Sequence, residues 1–142
     1  MAVFDQTAFE RMTAHVRNAY PKEGCGILLG REGGRWIKNV AVIRNLSEPE
    51  QAGKHFLMDP LAVYRAEREA AENGMDILGF YHSHPDREAV LSREDEAYLI
   101  PGMVYIILSV INNRIERISG YWKAEADGQV LKVPVETEEA RL

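Results

Sequence analysis

Apolar side chains recur at helical spacing from Thr7 to Tyr20, at Phe9, Met12, Val16 and Tyr20, and Pro21 ends the run. CGILLG at 25–30 is short and continuously apolar, as a buried strand should be. REGG then reads as a turn, and RWIKNVAVI at 35–43 as the returning strand of a hairpin. Polar turn formers fill RNLSEPEQAGK at 44–54, which predicts a surface loop, and HFLM at 55–58 predicts a short extended piece. Asp59 is placed to cap a helix with Pro60 at its first position and Asn73-Gly74 at its end.

DILGFYHSH at 76–84 predicts the next strand, PDREAVL a loop, and a short helix starts at Ser92 and ends before Pro101-Gly102. MVYIILSVI and RIERISGYW flank an Asn112-Asn113 turn and predict a second hairpin. QVLKVPV at 129–135 predicts a last strand, which Pro134 places at an edge, and the residues from 136 read as a solvated tail. The order α-β-β-α-β-α-β-β-β describes an α+β sandwich with a mixed central β-sheet flanked by helices. No glycine-rich phosphate loop follows a predicted strand, which excludes a doubly wound dinucleotide fold.

A length of 142 residues suits a single domain over 1–142, and 46% apolar with 27% charged residues is an ordinary globular balance. Seventeen basic against twenty-two acidic side chains give a net charge of −5, so no nucleic-acid partner is expected. The longest apolar run, at 103–111, is too short to cross a bilayer, and the N-terminus lacks a basic segment followed by an apolar one. Cys25 is the single cysteine, which excludes an internal disulfide and fits a reducing compartment. The expectation is a cytoplasmic chain with no membrane contact. The oligomeric state is left open, a homodimer included.

The chemistry concentrates in GFYHSHPDREAVLSRED at 79–95. On a strand, His82 and His84 share a face about 6–7 Å apart. Asp95, one turn into the next helix, can return a carboxylate to them. Two nitrogens and one oxygen from the protein leave the fourth tetrahedral position for water, as a catalytic zinc site requires. The competing reading is local. Ser92-x-x-Asp95 also fits a capping box, and the two histidines could simply end a strand. A bound water would need a base, for which Glu23 at the lip of the first strand is the candidate; by itself it also reads as a solvated acid. Gly24 and Gly26 beside it would let the backbone approach another element closely.

Glu23, then HSHP, the six residues DREAVL, and SRED resemble the motif of the JAMM (MPN-plus) metalloproteases: a distant glutamate, His-x-His-Pro, six residues, serine, two residues, aspartate. GCGILLG and ILGFYHSHP are also similar to that family, and the likeness runs over nearly the whole chain. It implies an MPN-type, cytidine-deaminase-like fold. It implies one catalytic Zn2+ on His82, His84 and Asp95, and a zinc-bound water for which Glu23 is general base and acid. Ser92 would support the tetrahedral intermediate. The implied partner is a ubiquitin-like sulfur-carrier protein ending in Gly-Gly, cleaved after its last glycine to release cysteine or another amine. Its tail would lie along 44–54 and HFLM, added as an extra strand.

The sequence admits other readings. Peptidases for other ubiquitin-like modifiers share the motif, and relatives without it serve as non-catalytic scaffolds. Cys25 as a nucleophile is set against a small buried hydrophobe. A nucleobase deaminase lacks its Pro-Cys-x-x-Cys half here, and two histidines with a carboxylate also suit an iron facial triad. His15 and His55 are too few for a second closed zinc site.

Overall fold

The computed structural model describes residues 1–31, 35–47 and 57–138. Its axis is a six-stranded sheet in the order β4 (Asn39–Ile43), β2 (Cys25–Gly30), β5 (Asp76–Pro85), β6 (Val104–Ile111), β7 (Arg114–Trp122), β8 (Leu131–Val133). β2 and β5 lie at its centre, and β6 continues it. β5 and β6 run parallel while the other neighbours are antiparallel, so the sheet is mixed, as expected.

Each face is covered by one helix, because the strands alternate between two apolar sets. Leu28, Tyr81, Ile106, Leu108 and Val110 pack with Met12 and Val16 of α1 (Gln6–Ala19). Cys25, Ile27 and Phe80 pack with Ala62, Ala66 and Ala70 of α2 (Pro60–Glu72). Asp59 caps α2 through Leu61 N at 3.1 Å with Pro60 at the first helical position. Gly26 is required opposite Tyr81: a Cβ there would sit 2.2 Å from the ring, whose hydroxyl reaches His15 Nδ1 at 2.7 Å. The close approach expected of this glycine is therefore with β5.

Three expectations change. The strand read as one piece over 35–43 divides at Lys38 into β3 (Trp36–Ile37) and β4 (Asn39–Ile43). β4 returns against β2 as predicted, but β3 joins a second sheet, because β1 (Ala2–Asp5) offers it a parallel edge. β1 has four residues and no full alternation to announce it. The last strand likewise divides at Pro134, which lacks an N–H for the ladder. β8 (Leu131–Val133) ends the large sheet beside β7 (Arg114–Trp122), and β9 (Val135–Glu138) pairs with β1. Residues 136–138 are thus strand rather than solvated tail, and 139–142 lie outside the described residues. So do 32–34 of the predicted turn and 48–56 of the predicted loop and extended piece, His55 included. The Asn112-Asn113 turn has the positive φ at both positions that a tight hairpin needs. Among the described residues no helix is long and apolar enough to cross a membrane.

Candidate metal centre

The site forms where β5 leaves the apolar layer under α2. Phe80, His82 and His84 project from the same face of β5, with Cys25 and Ile107 opposite His82 and Ser109 opposite His84. Both histidines are buried. His84 Nδ1 lies 2.8 Å from the Glu88 carbonyl oxygen, a contact that needs an N–H at that nitrogen. That leaves Nε2, turned towards His82 Nε2, as the ring nitrogen that can bind a metal.

Asp95 arrives from α3 (Arg93–Ala97). Ser92 Oγ accepts the Asp95 N–H at 2.9 Å, and Asp95 Oδ2 accepts the Ser92 N–H at 3.0 Å. The capping box therefore exists, and it aims the same Oδ2 at the histidines. His82 Nε2, His84 Nε2 and Asp95 Oδ2 form a triangle with edges of 3.1, 3.2 and 3.3 Å. Ligand atoms bound tetrahedrally at about 2.0–2.1 Å stand about 3.3–3.4 Å apart, so the three atoms have the separation a zinc-sized ion asks for. Burial pushes the Asp95 carboxyl up, but the imidazoles of His82 and His84 and the Ser92 N–H outweigh it and hold it well below the usual carboxylate range. Burial holds His82 below the ordinary imidazole range despite Asp95, in the neutral form a ligand needs.

Glu23 joins from the segment before β2. Its carboxylate, 3% exposed, lies near both histidines: one ligand atom from each of Glu23, His82 and His84 falls within 4.8 Å of the others. Oε1 accepts from Arg87 Nη2 at 3.0 Å, while Oε2 is buried without a hydrogen-bond partner. Burial raises this carboxyl to about 7, against the lowering influence of Arg87. An orphaned acid oxygen beside three convergent donors fits a site built for a cation and a water.

Four expected residues, His82, His84, Asp95 and Glu23, are thus brought together, and Ser92 sits in the wall of the same cleft of about 780 Å3. Leu57 and Met58 of the expected extended piece also line it, and Met58 bridges to Asn45. Cys25 is fully buried, its thiol pushed up to about 12 by burial and then by Glu23, so it is a core residue and no nucleophile.

Sequence reasoning missed two residues. Arg87 pairs with Glu23 across 64 positions, beyond any local pattern. Ser83 accepts the Gly24 N–H on Oγ at 2.8 Å and donates its own N–H to the Gly24 carbonyl, which fixes the segment carrying Glu23 beside His82. Its place between the two histidines, on the opposite face of the strand, was the available signal.

A family profile described as prokaryotic homologs of the JAB domain matches residues 5–120. A probable TtuB-protein conjugate cleaving protease of Thermus thermophilus is 34% identical over 61% of this chain and 55% of its own length. A desampylase of Haloferax volcanii is 35% identical over 63% of each chain. The chain thus spans less than two thirds of these two relatives. A CysO-cysteine peptidase of Mycobacterium bovis is 30% identical over 87% of this chain and 82% of its own. The solution structure of protein DSY2949 from Desulfitobacterium hafniense superimposes with a TM-score of 0.82 and 32% identity, covering 99% of this chain and 94% of that one. A structure titled as a JAMM metalloprotease-like zinc site in the proteasome and signalosome shares the fold, with a TM-score of 0.57 and 16% identity over 98% of both chains. With most of its length matched by one profile, and a site of the composition its motif implies, this chain belongs to the prokaryotic JAB-domain family.

Proposed function

We propose that this chain is a cytoplasmic zinc-dependent peptidase that cleaves the amide bond after the C-terminal glycine of a ubiquitin-like sulfur-carrier protein. The observation that carries the reading is the buried, unpartnered Glu23 Oε2 beside the His82–His84–Asp95 triangle. His82, His84 and Asp95 would hold the ion. Bound there, zinc acts as a Lewis acid that makes water more acidic and a carbonyl more electrophilic.

The remaining steps belong to the chain. Glu23 takes a proton from the attacking water at Oε2 and returns it to the leaving amine; a carboxyl raised to about 7 can do both near neutrality. Arg87 on Oε1 leaves Oε2 as the working oxygen. Ser92 Oγ already accepts the Asp95 N–H, so its own proton is available to the oxygen developing negative charge, a contribution of about 2.7–4 kcal/mol to the barrier. The cleft beyond is walled by Phe80, Met58, Tyr98 and Tyr105, apolar surface against which a Gly-Gly tail can lie extended. The names of two relatives, a TtuB-protein conjugate cleaving protease and a CysO-cysteine peptidase, support cleavage of a protein conjugate.

The test is to incubate the zinc-loaded protein with ubiquitin-like carriers ending in Gly-Gly and extended by cysteine or a peptide, and to weigh the products. Cleavage after the last glycine, abolished by chelator and restored by zinc, is expected. A requirement for iron with oxygen consumption, or intact carriers throughout, would overturn the reading.

A further inference from the structure

The leaving group has a candidate reader in Arg87. Its guanidinium touches the proposed base, Nη2 to Glu23 Oε1 at 3.0 Å, yet the side chain is 41% exposed and lines the cleft. Among the described residues Glu23 is the one hydrogen-bond partner of that side chain, so most of its five donors remain open. The backbone beneath is fixed: Ser109 Oγ donates to the Arg87 carbonyl, and the Asp86 N–H donates to Val110 O at 2.7 Å. The fork is therefore presented from a held loop.

On the proposed activity, which this inference requires, hydrolysis adds one water across the amide. Its oxygen goes to the glycine carbonyl, the C–N bond breaks, and Glu23 passes the proton to the departing nitrogen. That nitrogen must then lie within hydrogen-bond reach of Glu23. In a single amino acid the α-carboxylate carbon is two bonds, or about 2.5 Å, from the nitrogen. A carboxylate there falls beside the Arg87 fork, which matches its geometry. A lysine ε-amine instead brings methylenes to that place, and a protein N-terminus brings a neutral amide.

We propose that Arg87 binds the α-carboxylate of the leaving group, so that the chain favours removing one amino acid from a Gly-Gly tail over releasing a lysine side chain.

The probes are peptides ending in Gly-Gly-Ala as the free acid and as the C-terminal amide, with a third in which Gly-Gly acylates a lysine ε-amine. Alanine avoids a thiol that would itself bind metal. For the zinc-loaded protein kcat/KM should favour the acid by about 10-fold or more over both others, the worth of a charge-assisted hydrogen bond. Arg87→Gln should reduce that ratio to about 2-fold or less, whatever it does to the overall rate, and Arg87→Lys should keep part of it. Binding of the same labelled peptides to the metal-free protein should show the same acid preference, lost in Arg87→Gln. Equal handling of acid and amide, or a ratio and binding preference that survive Arg87→Gln, would leave Arg87 with no role beyond holding Glu23. If carriers extended by the same three groups also stayed intact, the peptidase reading and this inference would fall together.

Discussion

Asp95 and Glu23 approach the same histidine pair from two regions of the fold and are held by different means. Asp95 sits in a local device: three residues after its cap, it receives the Ser92 N–H and faces two imidazoles, which keep it ionised. Glu23 is placed by tertiary contacts alone, through Ser83 on Gly24, Asn45 Nδ2 on its carbonyl, and Arg87 on one carboxylate oxygen. Its other oxygen is buried and unpartnered, and its carboxyl is raised to about 7. Two acids in one site with opposite shifts suit different tasks, a permanent ligand and a proton carrier. Environment, rather than residue type, makes the distinction.

The largest effect should come from breaking the ligand side. Asp95→Ala or His84→Ala should bring bound zinc from one ion per chain to near none in elemental analysis, and cleavage to background. Next comes Ser92→Ala. Zinc content should stay, because the N–H to Asp95 Oδ2 is backbone, while turnover falls about 10²–10³-fold. Loss of the cap should also cost about 1 kcal/mol in denaturant unfolding. Unchanged turnover with that stability loss would reduce Ser92 to a cap.

The Glu23 side is sharpened by pH. Its folded value, about 7, lies above the ordinary 4.5, so the folded metal-free protein binds more protons between the two. The stabilising contribution is thus full below 4.5 and lost as pH rises through 7, at most about 3 kcal/mol. In the metal-free protein, Glu23→Gln should therefore be the more stable form at about pH 8, the gap closing towards acid pH. Parallel melting profiles across that range would contradict the assignment. The smallest effect is expected at Cys25, which should resist iodoacetamide in the native protein and leave cleavage unchanged, since its buried thiol is raised to about 12.

Much of this contrast could be read in the sequence, and unevenly. His82, His84, Ser92 and Asp95 lie on one strand and the cap that follows it, where spacing of two and three residues fixes geometry. The long strands and both longer helices were legible for the same reason: period and capping residues are local. β1, β3 and β9 were not, because they exist by pairing with each other across the whole chain, and each has two to four residues. Arg87 was hidden likewise, since its partner is far off in sequence and its neighbours describe only a loop. Glu23 was a candidate base by its place at the lip of the first strand and gained its weight from the family motif, whereas its half-satisfied, buried state belongs to the fold.

The most direct measurement is cleavage of a Gly-Gly-extended carrier by Glu23→Gln, with zinc content determined on the same sample. The account predicts one bound zinc, a normal fold and a rate at least about 10²-fold down, because the ligand triangle is intact and the proton carrier is gone. Wild-type turnover with zinc bound would contradict it.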